Sequence, residues 1–85
     1  MTARPVSVVA ELLVGFVNRE IMAPGHAITA EDRFEAAGVD SMALLKVLLF
    51  VEQEFGFWVP DEDLVEGNVA SAATLARYVA GRLAA

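Results

Sequence analysis

The sequence predicts a small all-α protein: a four-helix bundle of three longer helices and one short helix, with a long loop after the first helix. The chain has 85 residues, which allow one domain with one modest core, so residues 1–85 are read as a single domain. Three stretches place apolar side chains at helical spacing, and no stretch alternates apolar and polar residues over the length of a useful strand.

The first helix is predicted over residues 6–22. Its apolar side chains recur at the spacing i, i+1, i+4, i+5, i+8 and i+9, which places them on one helix face: Val8, Val9, Leu12, Leu13, Phe16, Val17 and Ile21. Gly15 and several valines lower the intrinsic helix propensity, so this helix depends on packing. Pro24 and Gly25 end it.

The second helix follows a loop that contains one large apolar anchor, Phe34, and a short turn expected over residues 31–35. Asp40 opens the helix, because its carboxylate can accept a hydrogen bond from an unpaired amide of the first turn. The helix is predicted to run to about Phe55. Gly56 suits the left-handed residue that commonly ends a helix.

The short helix is expected in the acidic run 61–66, after an extended stretch over 57–60. Asp61 is its expected cap, and the following acids lie near the positive end of the helix dipole. The pair at 67–68, Gly-Asn, is expected to break it. Trp58 is interpreted as a core anchor rather than as the lining of a cargo pocket, because aromatic side chains dominate small cores.

The last helix is predicted from a cap at Ser71 to Leu83. Its inward side chains are Leu75, Tyr78, Val79 and Leu83. Arg77 and Arg82 are expected to point outward, and cations near a helix C-terminus suit the dipole.

Composition excludes several kinds of site. The chain has no cysteine and one histidine, His26, which excludes a disulfide scaffold, a thiolate metal site, a cysteine nucleophile and a multi-histidine metal site. His26 is interpreted as a surface-loop residue. No catalytic and no metal-binding residue is assigned. The net charge of -6 argues against a nucleic-acid partner, because such binding depends on clustered Lys and Arg.

No segment is predicted to cross a membrane or to direct export. Glu11 interrupts the apolar run 5–17, and no small-residue cleavage pattern follows it. The apolar run 42–51 has ten residues with Lys46 inside it, and a bilayer needs roughly 20. These observations predict a soluble cytoplasmic protein.

The acidity lies in the middle of the chain. Residues 31–66 contain ten acidic side chains against Arg33 and Lys46. Two interpretations remain open at this point. The acids form either a solvated face or a surface for basic protein partners, whose complementary potential speeds encounter.

The predicted second helix is apolar around its whole circumference. Nine of the ten residues 42–51 are apolar, and Lys46 is the exception. A helix of a small bundle normally keeps a polar outer stripe. One face of this helix can join the core, so the other needs a further apolar neighbour: a partner protein, a ligand or a second chain.

A series of motifs surrounds the start of this helix. The central one reads Gly38-Val39-Asp40-Ser41-Met42. Asp32-Arg33-Phe34 precedes it, and the helix ends in Glu52-Gln53-Glu54-Phe55-Gly56 before Val59-Pro60-Asp61-Glu62-Asp63-Leu64. Together these motifs resemble the acyl carrier protein family, in which Asp-Ser is followed by a large apolar residue at a helix start. The resemblance runs from about Asp32 to Val79 and implies a bundle of the acyl-carrier-protein type.

The resemblance implies a carrier with a covalent prosthetic group, which is not itself an enzyme. Ser41 is the implied attachment point of a 4'-phosphopantetheine arm from coenzyme A, which holds an acyl or related carboxylic intermediate as a thioester. Asp40 is implied to cap the helix and to contact the phosphopantetheinyl transferase that installs the arm. The position agrees with physical expectation, because free amides and the dipole at a helix N-terminus stabilise a phosphate. A chain without cysteine also needs a thiol from elsewhere.

The outer stripe of the second helix departs from the fatty-acid type of carrier, which has several acids there. Met42, Lys46, Leu49 and Gln53 lie on one line at i, i+4, i+7 and i+11. They are the candidate docking residues, and they favour apolar contact over charge. Met42 fits the core equally well, because Met commonly fills core gaps. The departure favours a dedicated carrier of a specialised pathway.

The expected partners are the transferase, an acyl- or aminoacyl-loading ligase, and downstream enzymes of fatty-acid, polyketide or other specialised biosynthesis. The chain itself is expected to be a monomer. Two alternatives remain open. One is an aminoacyl or peptidyl carrier of a nonribosomal-type pathway. The other is a helical protein-interaction module without a prosthetic group, which uses the apolar second helix for dimerisation.

Overall fold

The computed structural model describes residues 4–85, which form the predicted all-α bundle. Its three long helices are α1 (Val6–Glu20), α3 (Ser41–Phe55) and α5 (Ala72–Ala84). The connections contain two short helices, α2 (Phe34–Ala37) and α4 (Glu66–Val69), and a 3₁₀ turn at Asp61–Asp63. Within the described range no strand forms, and an isolated bridge pairs Arg33 with Ser71.

The core forms where the three long helices meet. Its fully buried side chains lie at helical spacing on each of them: Val9, Leu13 and Val17 on α1, Val47 and Val51 on α3, and Leu75 and Val79 on α5. The prediction that Val8 lies on the inward face of α1 is wrong, because Val8 is exposed. Val8 lies about 100° around the helix from Val9, beyond the arc that the other helices cover. α1 also ends at Glu20, two residues earlier than predicted.

Hydrogen bonds fix the loop between α1 and α2 to the bundle. The Asn18 side chain pairs with the backbone of Ile28, donating to its carbonyl at 3.2 Å and accepting its amide at 2.8 Å. Phe34 is buried, as predicted, and its amide donates to the Ala70 carbonyl at 2.8 Å. The expected turn over 31–35 is a helix over 34–37 instead. The start of α2 is therefore held against the start of α5.

The ends of the two later helices follow their predicted caps. Gly56 ends α3 with φ of 85°, which is the left-handed conformation that favours glycine. Ser71 caps α5, since its hydroxyl oxygen accepts the Thr74 amide at 3.2 Å. Thr74 reciprocates, because its hydroxyl oxygen accepts the Ser71 amide at 3.0 Å and completes a capping box.

The prediction of one short helix over residues 61–66 is wrong. A 3₁₀ turn occupies residues 61–63, and Pro60, not Asp61, is at its cap position. A separate helix runs over residues 66–69 and includes the Gly-Asn pair, which the sequence predicts to be a helix breaker. Asn68 holds this helix in place. Its backbone amide donates to the Val65 carbonyl at 2.8 Å, and its side-chain amide donates to the Asp63 carbonyl at 2.9 Å.

Trp58 is not a core anchor, because 40% of it is exposed. The stretch 57–60 is extended, so successive side chains point to opposite sides. Val59 is fully buried and Phe57 is half-buried, which leaves Trp58 on the outer side.

A polar cluster fastens the 3₁₀ turn to α5. The Tyr78 hydroxyl donates to Asp63 Oδ2 at 2.5 Å, and Arg82 Nη1 donates to the same oxygen at 3.2 Å. The Arg82 guanidinium also lies over the Phe57 ring, 5.2 Å from its centroid. Burial and then the hydrogen bond to Asp63 raise the pKa of Tyr78 above its usual value.

Candidate functional site

Local backbone chemistry fixes the start of α3. Gly38 ends α2 with φ of 89°, a conformation that glycine adopts readily. Val39 is buried, and its amide donates to a carbonyl of α2 at 2.9 Å. The Asp40 carboxylate accepts the Ala43 amide at 2.9 Å and is the N-cap, as predicted. Ser41 is therefore placed as the first residue of the helix.

Ser41 is exposed and is not needed for capping, which the Asp40 side chain performs. The first amides of a helix have no partner inside it, and the aligned dipoles make this end positive. A phosphate on the Ser41 hydroxyl would lie beside the first turn of a 15-residue helix, where its charge is stabilised. The position thus fits a serine phosphodiester.

A groove of about 360 Å³ lies beside Ser41, between α2, the start of α3 and α4. Its apolar lining consists of Phe34, Val39, Leu44, Val69 and Ala70. Arg33 and Glu66 also line it and form an ion pair across it. Sequence reasoning missed this pair, because its members are 33 residues apart and no local pattern joins them.

The predicted docking residues lie together on the outer surface of α3. Met42, Lys46, Leu49 and Gln53 are all exposed. Met42 is 77% exposed, so the alternative that it fills the core is wrong. Leu45 is also exposed and belongs to the same surface, although the sequence interpretation did not include it. It lies three residues after Met42, a spacing that identifies it as a helix neighbour.

We call these five residues the α3 strip. It begins next to Ser41 and is apolar except for Lys46 and the amide of Gln53. Within the range that the structure describes, Lys46 takes part in no ion pair; the pairs present involve Arg4, Arg19, Arg33 and Arg82. The strip therefore offers an apolar surface with one free cation.

Other kinds of site do not appear in residues 4–85. No group of three or more acidic or histidine side chains there could hold a metal ion. His26 is exposed in the loop after α1, where the sequence places it. In the same range, no helix has both the length and the apolar character required to cross a membrane.

Two comparisons with known proteins bear on this site. The family model described as "Phosphopantetheine attachment site" matches residues 11–79. The relative "Acyl carrier protein, mitochondrial" of Dictyostelium discoideum is 31% identical over 55 residues. That stretch is 65% of this chain and 46% of the relative, so the chain spans about half of the relative's length.

The family match extends from within α1 to within α5. It therefore includes the capped helix start, the groove and the α3 strip in one continuous range. This favours a carrier over a helical interaction module without a prosthetic group. Because a model of phosphopantetheine attachment sites covers these elements at once, the chain belongs to the acyl carrier protein family, whose prosthetic group is 4'-phosphopantetheine.

Proposed function

We propose that Ser41 carries the 4'-phosphopantetheine arm and that the chain delivers an acyl or related carboxylic intermediate to partner enzymes. The observation that carries this proposal is the exposed Ser41 hydroxyl at the first residue of α3, relieved of capping by Asp40. The other two serines fit less well. Ser71 is buried and occupied in capping α5, and Ser7 lies on α1, away from the groove.

When bound, the arm supplies a thiol on a flexible tether, on which the cargo is held as a thioester. The residues of this chain position the tether rather than catalyse a reaction. Asp40 orders the first turn of α3, and its exposed carboxylate is the proposed contact for phosphopantetheinyl transferase. Tethering raises the effective concentration of the cargo at each enzyme once the carrier has docked.

The α3 strip is the proposed docking surface. Its exposed apolar side chains supply the contact area, and Lys46 orients the complex by pairing with an acidic side chain of the partner. A surface of five side chains is small, and small interfaces are typical of transient complexes. Weak docking suits a carrier that must leave after each step, and we propose that it acts as a monomer.

The proposed partners are the transferase, an acyl- or aminoacyl-loading ligase, and enzymes of fatty-acid, polyketide or other specialised biosynthesis. An aminoacyl or peptidyl carrier is the competing function within the same family. Mass spectrometry of protein purified from its own host distinguishes them by the thioester it finds. The proposed compartment is the cytoplasm, and cell fractionation would separate this proposal from the mitochondrial location in the relative's name.

Intact-mass measurement after incubation with coenzyme A and a broad-specificity phosphopantetheinyl transferase tests the attachment site. We expect the wild-type chain to gain the mass of one phosphopantetheine group and Ser41→Ala to gain none. Ser7→Ala removes another exposed serine and should keep the gain. No gain in the wild type, or a gain retained in Ser41→Ala, would refute the proposal.

A further inference from the structure

The groove beside Ser41 is lined by three acidic residues and one basic residue. Glu35, Asp40 and Glu66 are the acids, and Arg33 is the one base among the lining residues. Arg33 is engaged with Glu66 in the structure. An anion introduced at Ser41 would therefore lie among mostly acidic side chains, and Arg33 is the one lining side chain that can add positive charge to that of the helix N-terminus.

We propose that Arg33 binds the phosphodiester of the arm and exchanges Glu66 for it when the prosthetic group is attached. This inference rests on the proposed attachment at Ser41. The planar guanidinium presents paired N–H donors that match two phosphate oxygens, so arginine is well suited to bind a phosphodiester. Attachment adds one negative charge and no positive charge to the groove. Arg33 is then drawn from the carboxylate to the new anion.

The exchange requires little rearrangement. The side chains of Arg33 and Glu66 are 56% and 71% exposed, and exposed ion pairs contribute little to stability. The Arg33 backbone is held in place by its bridge to Ser71 and by its position before the first residue of α2. The long side chain can therefore swing across the groove while the backbone stays fixed.

The exchange would alter the surface beside Ser41. Glu66 is the first residue of α4 and contributes to the groove from the α4 side. In the unloaded chain the ion pair ties that side to the residue before α2. In the loaded chain Glu66 is released and becomes a free exposed carboxylate. Unloaded and loaded carriers then differ in charge arrangement next to the attachment point, and enzymes that act on only one form can distinguish them.

Phosphorus NMR of the loaded protein tests the contact. The full chain is loaded with coenzyme A and a broad-specificity transferase, and the product is verified by intact mass. We expect Arg33→Gln to move the ³¹P resonance of the phosphodiester relative to wild type. Arg77→Gln is the matched control, because Arg77 is exposed on α5 and does not line the groove. It should leave the resonance in place.

A second measurement needs no variant. In the wild-type chain, the Arg33 Nε–H resonance and the Glu66 carboxyl-carbon resonance should both move on loading. A ³¹P shift unchanged by Arg33→Gln, or Arg33 and Glu66 resonances that do not respond to loading, overturns the inference. Loading that persists in Ser41→Ala overturns the attachment site instead, so the two failures are distinguishable.

Discussion

Asp40 combines two roles that substitutions can separate. Its carboxylate accepts the Ala43 amide at 2.9 Å, and its negative charge lies at the positive end of α3, where it is also the proposed transferase contact. Asp40→Asn keeps a carbonyl oxygen for the cap and removes the charge. Asp40→Ala removes both the acceptor and the charge.

The two variants have different expected stabilities. Loss of an N-cap acceptor costs about 1 kcal/mol, and loss of a favourable charge at an exposed helix N-terminus costs about 0.3–1 kcal/mol. We therefore expect Asp40→Asn to lower the free energy of unfolding by about 0.5 kcal/mol. Asp40→Ala should lower it by about 1.5 kcal/mol. For a chain of 85 residues, each kcal/mol corresponds to a change of about 4–8 °C in Tm.

Urea unfolding followed by circular dichroism measures the first role, and the rate of transferase-catalysed mass gain measures the second. Asp40→Asn should lose transfer rate while it keeps most of its stability. Glu52→Gln is the control, because it removes an exposed charge from the same helix away from its first turn. If Asp40→Asn and Asp40→Ala lowered the free energy of unfolding equally, the capping argument would be refuted. Transfer to Asp40→Asn at the wild-type rate would refute the charge contact.

Four further substitutions test the strip, the polar cluster and the capping box. Leu49→Asp and Lys46→Glu should each lower turnover by partner enzymes with an unchanged circular dichroism spectrum; full turnover in both variants would exclude the strip as the docking surface. The raised pKa of Tyr78 means that folding favours the protonated hydroxyl. Its contribution to the free energy of unfolding is therefore fully present below about pH 10. That stability is lost as the pH rises through the folded-state pKa. Tyr78→Phe should remove this alkaline loss in urea unfolding at stepped pH, and an unchanged slope would contradict the assignment. Ser71→Ala should lower the free energy of unfolding by about 1 kcal/mol. Ser7→Ala should leave it nearly unchanged, because α1 has no side-chain capping bond at its start.

The sequence predicts the helix ends best where the chemistry is local. Asp40 and Ser71 each accept a hydrogen bond from the backbone amide three residues ahead. Gly56 ends α3 through its own left-handed backbone conformation. Such features need no knowledge of the rest of the fold. The same locality makes the placement of Ser41 at a helix start predictable.

The features that the sequence does not predict depend on contacts that reach beyond one helical turn, or on the alternation of side chains in an extended segment. The Asn68 side chain stabilises α4 by reaching the Asp63 carbonyl, which outweighs the tendency of Gly-Asn to break a helix. The prediction of Trp58 in the core rests on residue type. In an extended segment Trp58 and its neighbour Val59 point to opposite sides, and Val59 is the buried one. The Arg33–Glu66 pair requires the packing of α2 beside α4, which no sequence pattern specifies.

If the α3 strip is the docking surface, as proposed, the acidity of the chain and the composition of the strip should act on different steps of docking. Acids before and after α3, such as Glu35 and Asp61, contribute to a long-range potential that speeds encounter with any basic enzyme surface. In the proposed complex, docking depends on the strip, where Lys46 would repel a basic patch of an enzyme. Consider an enzyme adapted to carriers that have acidic side chains on the outer stripe of this helix. It should therefore encounter this carrier quickly and bind it poorly. Lys46→Glu should improve turnover by such an enzyme and impair turnover by this carrier's own partners. If Lys46→Glu changed the turnover by both enzymes in the same direction, this division of roles would be refuted.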